Sequence, residues 1–326
     1  MNILKGGHFT DGAKNAKFKP HPILMLLLFV VVFFTVQSVQ SIPVSVVLIP
    51  KIAEIMNNLP RGASFTEIME AAMSVFSEGD SLITSVNLLS TAITAAFVIM
   101  YVRLVEVRSL ESMGLKKTGC VRHYLIGAAM GIVMYSAAVG ICAAAGAAKY
   151  AGTDFNSPLM FVLICVGWLI QGAEEEILCR GWLMPSLSAR MPLWAAVLIN
   201  SLFFSLLHIM NAGFNLIVLV NLTLFGVCLS LVAIRFDSII PCCALHSLWN
   251  LSQGNIFGMP VSGMATGPSV FRFTLADNME LWTGGAFGIE GGLGETIVVA
   301  AAIAAVVFIP PVGKSKKCGI GLNTHQ

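Results

Sequence analysis

Residues 158–181 read PLMFVLICVGWLIQGAEEEILCRG. No charge occurs from Pro158 to Ala173, and then Glu174, Glu175, Glu176 and Arg180 arrive together. A helical segment of about 20 apolar residues crosses a bilayer core, so this stretch predicts a membrane span whose second half is loaded with ionisable groups. Such groups at membrane depth cost about 2.5–3.5 kcal/mol each on insertion scales and mark functional sites by default. Fold and function are therefore to be sought in the same segment.

The rest of the chain agrees with a membrane setting. Of its 326 residues 56% are apolar and 11% charged, against roughly a quarter charged in ordinary soluble domains. Stretches of span length recur at about 23–49, 82–102, 124–148, 158–179, 193–211, 214–234, 238–257 and 295–311. These predict an all-α, polytopic membrane helix bundle of about eight transmembrane helices. It forms one domain over 23–311, with tails at 1–22 and 312–326. Residues 1–20 are expected to be disordered, as is the tail after Pro311. The span at 23–49 is too long for a secretory h-region and lacks a small-x-small cleavage site. The second span, with Ser85, Asn87, Ser90, Thr91 and Thr94, is expected to pack inside the bundle. The short connection around Gly213 predicts a tight hairpin.

Charge sets orientation. Lys5, Lys14, Lys17 and Lys19 precede the first span, and Arg103, Arg108, Lys116, Lys117 and Arg122 follow the second. Arg180 and Arg190 follow the fourth span, Arg235 the sixth, and Lys314, Lys316 and Lys317 the eighth. The alternate loops are acidic (50–80) or hold Arg272 alone (258–294). Lys and Arg concentrate on the cytoplasmic side, which predicts a multi-pass protein of the cell membrane with both termini cytoplasmic. The Gly-rich loop 258–294 is expected to form an ordered cap on the other side. Tyr101, Trp182, Trp194 and Trp282 suit interfacial anchoring.

A net charge of +2 and the lack of a basic, aromatic-interleaved tract argue against a nucleic-acid partner. The eight cysteines contain no CxxC pair, and adjacent Cys242 and Cys243 do not form an ordinary bridge. They read as small hydrophobes within helices. No internal repeat is evident.

Three neighbouring spans concentrate the ionisable groups at membrane depth. One carries Gln171, Glu174, Glu175, Glu176 and Arg180, the next Asn200 and His208, and a third His246 and Asn250. At about 100° per residue, Glu176 and Arg180 share a helix face and can pair. Glu175 points about 100° away, free of that brace and available as the working carboxylate. If the fourth helix runs on to a turn near Met191–Pro192, Glu175 and His208 fall at one depth in an antiparallel hairpin. Its lower end is then expected to project into the cytosol. His246 starts nearer a membrane edge, and its depth matches less well. His246 and Asn250, four apart, suit two hydrogen bonds to one oxyanion. Phe204 shares a face with His208 and can wall the pocket.

These residues also form three ordered motifs: Glu175-Glu176-Ile177-Leu178-Cys179-Arg180-Gly181, Phe204-Ser205-Leu206-Leu207-His208 and His246-Ser247-Leu248-Trp249-Asn250. As EExxxR, FxxxH and HxxxN they resemble the signatures of the CPBP family. Its members include CAAX prenyl endoproteases and bacterial Abi or bacteriocin-immunity proteins. The resemblance covers a core of about 105–310, and Arg108–Leu115 is similar to the segment that precedes that core. It implies an intramembrane endopeptidase in which Glu175 activates water, aided by His208, while His246 and Asn250 stabilise the oxyanion. Glu176, Arg180 and Phe204 are supporting residues. Cys179 departs from the phenylalanine usual in the motif, at a position outside the polar set. Glu174 lies outside the motif and receives no catalytic role.

The resemblance favours a metal-independent glutamate mechanism with no cofactor. Glu175, His208 and His246 are nevertheless a chemically allowed zinc set, although the HExxH spacing is absent. The expected partners are the lipid bilayer and a peptide or membrane-protein substrate, lipidated or not. Two other classes compete: a non-catalytic immunity or scaffold protein of the same fold, and a proton-coupled transporter. The latter predicts inverted repeats or paired broken helices, and neither is seen.

Overall fold

The computed structural model describes residues 7–60, 62–68 and 80–308. Its elements are α1 (His8–Gly12), α2 (Pro22–Asn58), α3 (Ser81–Leu104), α4 (Cys120–Ala144), β1 (Ala148–Asp154), α5 (Pro158–Glu176), α6 (Met184–Ser188), α7 (Leu193–Leu206), α8 (Leu216–Phe236), α9 (Ile240–Leu251), β2 (Ser269–Leu275), α10 (Glu280–Thr283) and α11 (Leu293–Phe308). π-helical segments continue α5 through Ile177–Leu183 and α9 through Ser252–Ile256. The chain is a polytopic helical membrane protein. By length and composition α2, α3, α4 and α8 suffice to cross a bilayer, and α7 and α11 are shorter apolar helices.

Local chemistry sets the helix ends. Pro22 and Pro158 occupy first-turn positions, where the missing N–H costs nothing. The Asp80 carboxylate accepts from the N–H groups of Leu82 and Ile83 at 3.0 Å each, and Asn215 caps α8 in the same way. Asp237 ends α8 in the left-handed region at φ 49°. It pairs with Lys116 and accepts the Phe9 N–H.

Several boundaries differ from the sequence reading. The first span runs to Asn58 rather than 49, about 55 Å of helix. The fifth ends at Leu206 instead of 211, so His208 lies in the turn beyond it. The third ends at Ala144 because Gly146, at φ +77°, redirects the chain into β1. β1 pairs antiparallel with β2, adding a small two-stranded sheet to the bundle.

The predicted disorder of residues 1–20 is corrected from residue 7 onward. Phe9 is fully buried, because one aromatic ring inserts beside the 110–113 turn and anchors α1 there. The tail 312–326 lies outside the described residues.

The long helix through 158–188 forms as expected, but its lower end does not project freely. Trp182, Leu183, Met184 and Leu187 have no exposure. Glu106 receives the Trp182 indole N–H at 2.8 Å and pairs with Arg108 Nε at 2.6 Å. Burial pulls the Arg108 guanidinium below its ordinary value, opposed by the Glu106 charge.

Glycines place α9 at the centre. A Cβ on Gly127 would strike the Pro241 carbonyl, and one on Gly131 the Leu245 carbonyl; on the opposite side Gly172 abuts the Ser247 backbone. Small residues four apart allow helix backbones to approach closely. α9 is thereby held between α4 and α5, buried from Pro241 to Ser247.

Candidate active site

Glu176 and Arg180 form the expected brace. Arg180 Nη1 lies 2.9 Å from Glu176 Oε1, and neither side chain has solvent exposure. Arg180 Nη2 also donates to the Gly226 carbonyl at 3.1 Å, and its guanidinium carbon stands 4.6 Å from the Phe204 ring centroid. Phe204 thus walls the site, touching the His208 ring at 5.3 Å and the His246 ring at 5.7 Å between centroids.

His246 reaches this brace despite the depth mismatch that the sequence suggests. α9 begins within protein, so its first turns already lie deep in the bundle. His246 Nδ1 is 3.0 Å from Glu176 Oε1, and Nε2 is 3.7 Å from Glu175 Oε2. An ionised carboxylate only accepts, which places the ring proton on Nδ1 and leaves Nε2 toward Glu175. A separation of 3.7 Å exceeds a direct hydrogen bond.

Glu175 Oε1 accepts from Gln171 Nε2. Its Oε2 is buried and has no hydrogen-bond partner among the described residues. Asn250 Nδ2 donates to Gln171 Oε1 at 3.0 Å, so Asn250, Gln171 and Glu175 form a chain. In this arrangement His246 and Asn250 do not converge on one acceptor. His208 Nδ1 is 3.1 Å from the Phe204 carbonyl. A carbonyl also only accepts, so Nδ1 holds the proton and Nε2 is the ring's acceptor.

Glu175, His208, His246 and Asn250 all line one cavity of about 190 Å³. Some of its walls belong to none of the three sequence motifs. Gln37 and Gln40 on α2, Asn87 and Thr91 on α3, and Glu290 on the Gly-rich loop face the same space. Glu174, left without a role, lines it too and is 6% exposed. Amides on otherwise apolar helices were the available signal for the α2 and α3 wall. Among the described residues no three His, Cys, Asp or Glu side chains converge as a metal-holding group.

Fold and cavity together define a helical membrane protein with a buried acid–imidazole centre. Residues 157–252 match the family model described as Rce1-like, type II CAAX prenyl endopeptidase. That segment holds all three motifs, and it is the part of the chain that is similar to the CAAX protease family. The family is a protease family, which implies a protein substrate in a membrane context. No curated protein and no solved structure matches the chain.

Proposed function

We propose that this chain is an intramembrane endopeptidase of the glutamate type. The observation that carries the reading is Glu175 Oε2, a buried carboxylate oxygen without a hydrogen-bond partner among the described residues. It faces a cavity shared with two imidazoles and a carboxamide. The Glu175 carboxylate and the His208 Nε2 lone pair belong to residues that line this one cavity, and they are two acceptors for the two hydrogens of one water.

In the reaction, that water adds through oxygen to the scissile carbonyl carbon and gives a proton to Glu175. Asn250, released from Gln171, and His246, protonated at Nε2 as well as at Nδ1, donate to the oxyanion. His208 contributes a second acceptor to the water. Glu175 then returns the proton to the leaving nitrogen as the C–N bond breaks, giving a carboxylic acid and an amine.

The substrate is a peptide or the tail of a membrane protein, and its lipidation is a separate variable of the assay. The reading requires no metal. Purified protein in detergent, incubated with a peptide library and followed by mass spectrometry, tests it. Glu175→Gln should lower turnover by about 10²-fold or more, and chelators should leave the wild type unchanged. Wild-type turnover by Glu175→Gln would remove the assignment, and loss of activity on chelation would convert it to a metalloprotease.

A further inference from the structure

His208 lies two residues beyond the last residue of α7, where a helix no longer dictates side-chain position. Its own turn supplies short-range bonds only: His208 N–H to the Ser205 carbonyl at 3.1 Å and Asn211 N–H to the His208 carbonyl at 2.9 Å. What ties this turn to the rest of the cavity comes from the Gly-rich loop. Asn211 Nδ2 donates to the Ser262 carbonyl at 2.9 Å. The Ser262 N–H and hydroxyl both donate to Glu290 Oε2, each at 2.9 Å. Glu290 Oε1 accepts the Trp249 indole N–H at 3.1 Å, and Trp249 immediately precedes Asn250 on α9. Glu290 is 4% exposed, so its carboxylate is committed to three donors away from water.

The surrounding backbone is built for this contact. Ser262 is held at φ 48°, a region uncommon outside glycine. Gly263 packs so closely that a Cβ would strike the Ala212 carbonyl, and Gly213 abuts the Phe287 N–H. Gly263 N–H donates to the Phe287 carbonyl at 2.9 Å. The Asn221 amide, on α8, fixes the Glu290 carbonyl at 2.9 Å. Three loops therefore interlock above the cavity, joined to the helix that carries His246 and Asn250.

We infer that Asn211, Ser262 and Glu290 form a latch that fixes the His208 turn against α9, which makes Asn211 and Glu290 positioning residues for hydrolysis. The inference rests on the endopeptidase reading for its catalytic consequence, although the latch itself is a statement about where His208 sits. Asn211 and Glu290 also line the cavity, so a substrate contact is the competing role, and kinetics separate the two.

Asn211→Ala should lower kcat about 10- to 100-fold, the scale of a small misplacement of a reacting group, and leave KM nearly unchanged. In a His208→Ala background the same change should add no more than about twofold, since both act on one group. Glu290→Gln should behave alike, because its amide nitrogen would face the Trp249 donor. A raised KM at constant kcat, or full additivity with His208→Ala, overturns the latch.

Carbethoxylation of each histidine by diethyl pyrocarbonate, read by mass spectrometry, tests position without turnover. His208 should react faster in both variants while His246 keeps its wild-type rate, and an unchanged His208 rate overturns the proposal. If wild-type protein cleaves nothing, the endopeptidase reading fails while the labelling result still decides the latch.

Discussion

Arg180 carries more of this site than its distance from the cavity suggests. It is fully buried, and Glu176 Oε1 is shared between its guanidinium and the His246 ring. Removing one partner of a buried pair leaves an uncompensated charge, at a cost of about 3–5 kcal/mol. Arg180→Met should therefore lower the thermal midpoint sharply in detergent, as read by intrinsic fluorescence. Adding Glu176→Gln should recover much of that stability, because the orphaned charge is gone. It should not recover hydrolysis, since His246 loses the carboxylate that fixes its Nδ1 proton. Restoration of both properties together would show that the brace has no role in orienting His246. The i, i+4 spacing made this pair readable from sequence, and the 100° offset of Glu175 was readable with it. The bond from Glu176 to His246 was not, because it depends on how deep α9 lies, a tertiary quantity.

That depth is set at the level of elements. Gly127 and Gly131 on α4 and Gly172 on α5 let two helices close on α9 backbone to backbone. The GxxxG spacing of the α4 pair stood in the sequence, but a spacing of small residues names no partner helix. Gly131→Leu should force the α4–α9 contact apart, because the new side chain would meet the Leu245 carbonyl and, with its Cβ about 3.0 Å away, the Trp249 nitrogen. The expected result is loss of activity with a fall in stability. Gly140→Leu, at an exposed position of the same helix where a Cβ would meet nothing within 4 Å, serves as the control of equal volume change. Equal behaviour of the two variants would deny the glycine contact any special role. Other elements escaped the sequence reading for physical reasons. The π-helical turn after Glu176 uses residues that would serve an α-helix equally well. The pairing of β1 with β2 joins segments more than a hundred residues apart, with register irregularities at Gly152. Phe9 was invisible because one buried ring leaves no periodic pattern.

At the scale of the whole molecule, the charge pattern that suggested an orientation has a spatial counterpart. Lys116 pairs with Asp237 after α8, Arg190 donates to the Lys19 carbonyl, and Arg103 donates to the Arg108 carbonyl. Segments far apart in sequence thus gather at one end of the bundle with most of the described basic residues. The β1–β2 pair belongs to the connections at the opposite ends of α4 and α5. The positive-inside tendency then predicts that the end bearing Arg190 faces the cytoplasm. Single cysteines at Tyr150 and at Leu110, 59% and 42% exposed, sample the two ends. In a background whose eight native cysteines are replaced, a membrane-impermeant maleimide added to intact cells should label Tyr150→Cys. Leu110→Cys should react only after the membrane is opened. The reverse pattern would place the interlocked loops inside the cell and invert the proposed topology. It would also reverse the side from which a substrate tail reaches Glu175, because Ser262, Met264 and Glu290 form one wall of that cavity.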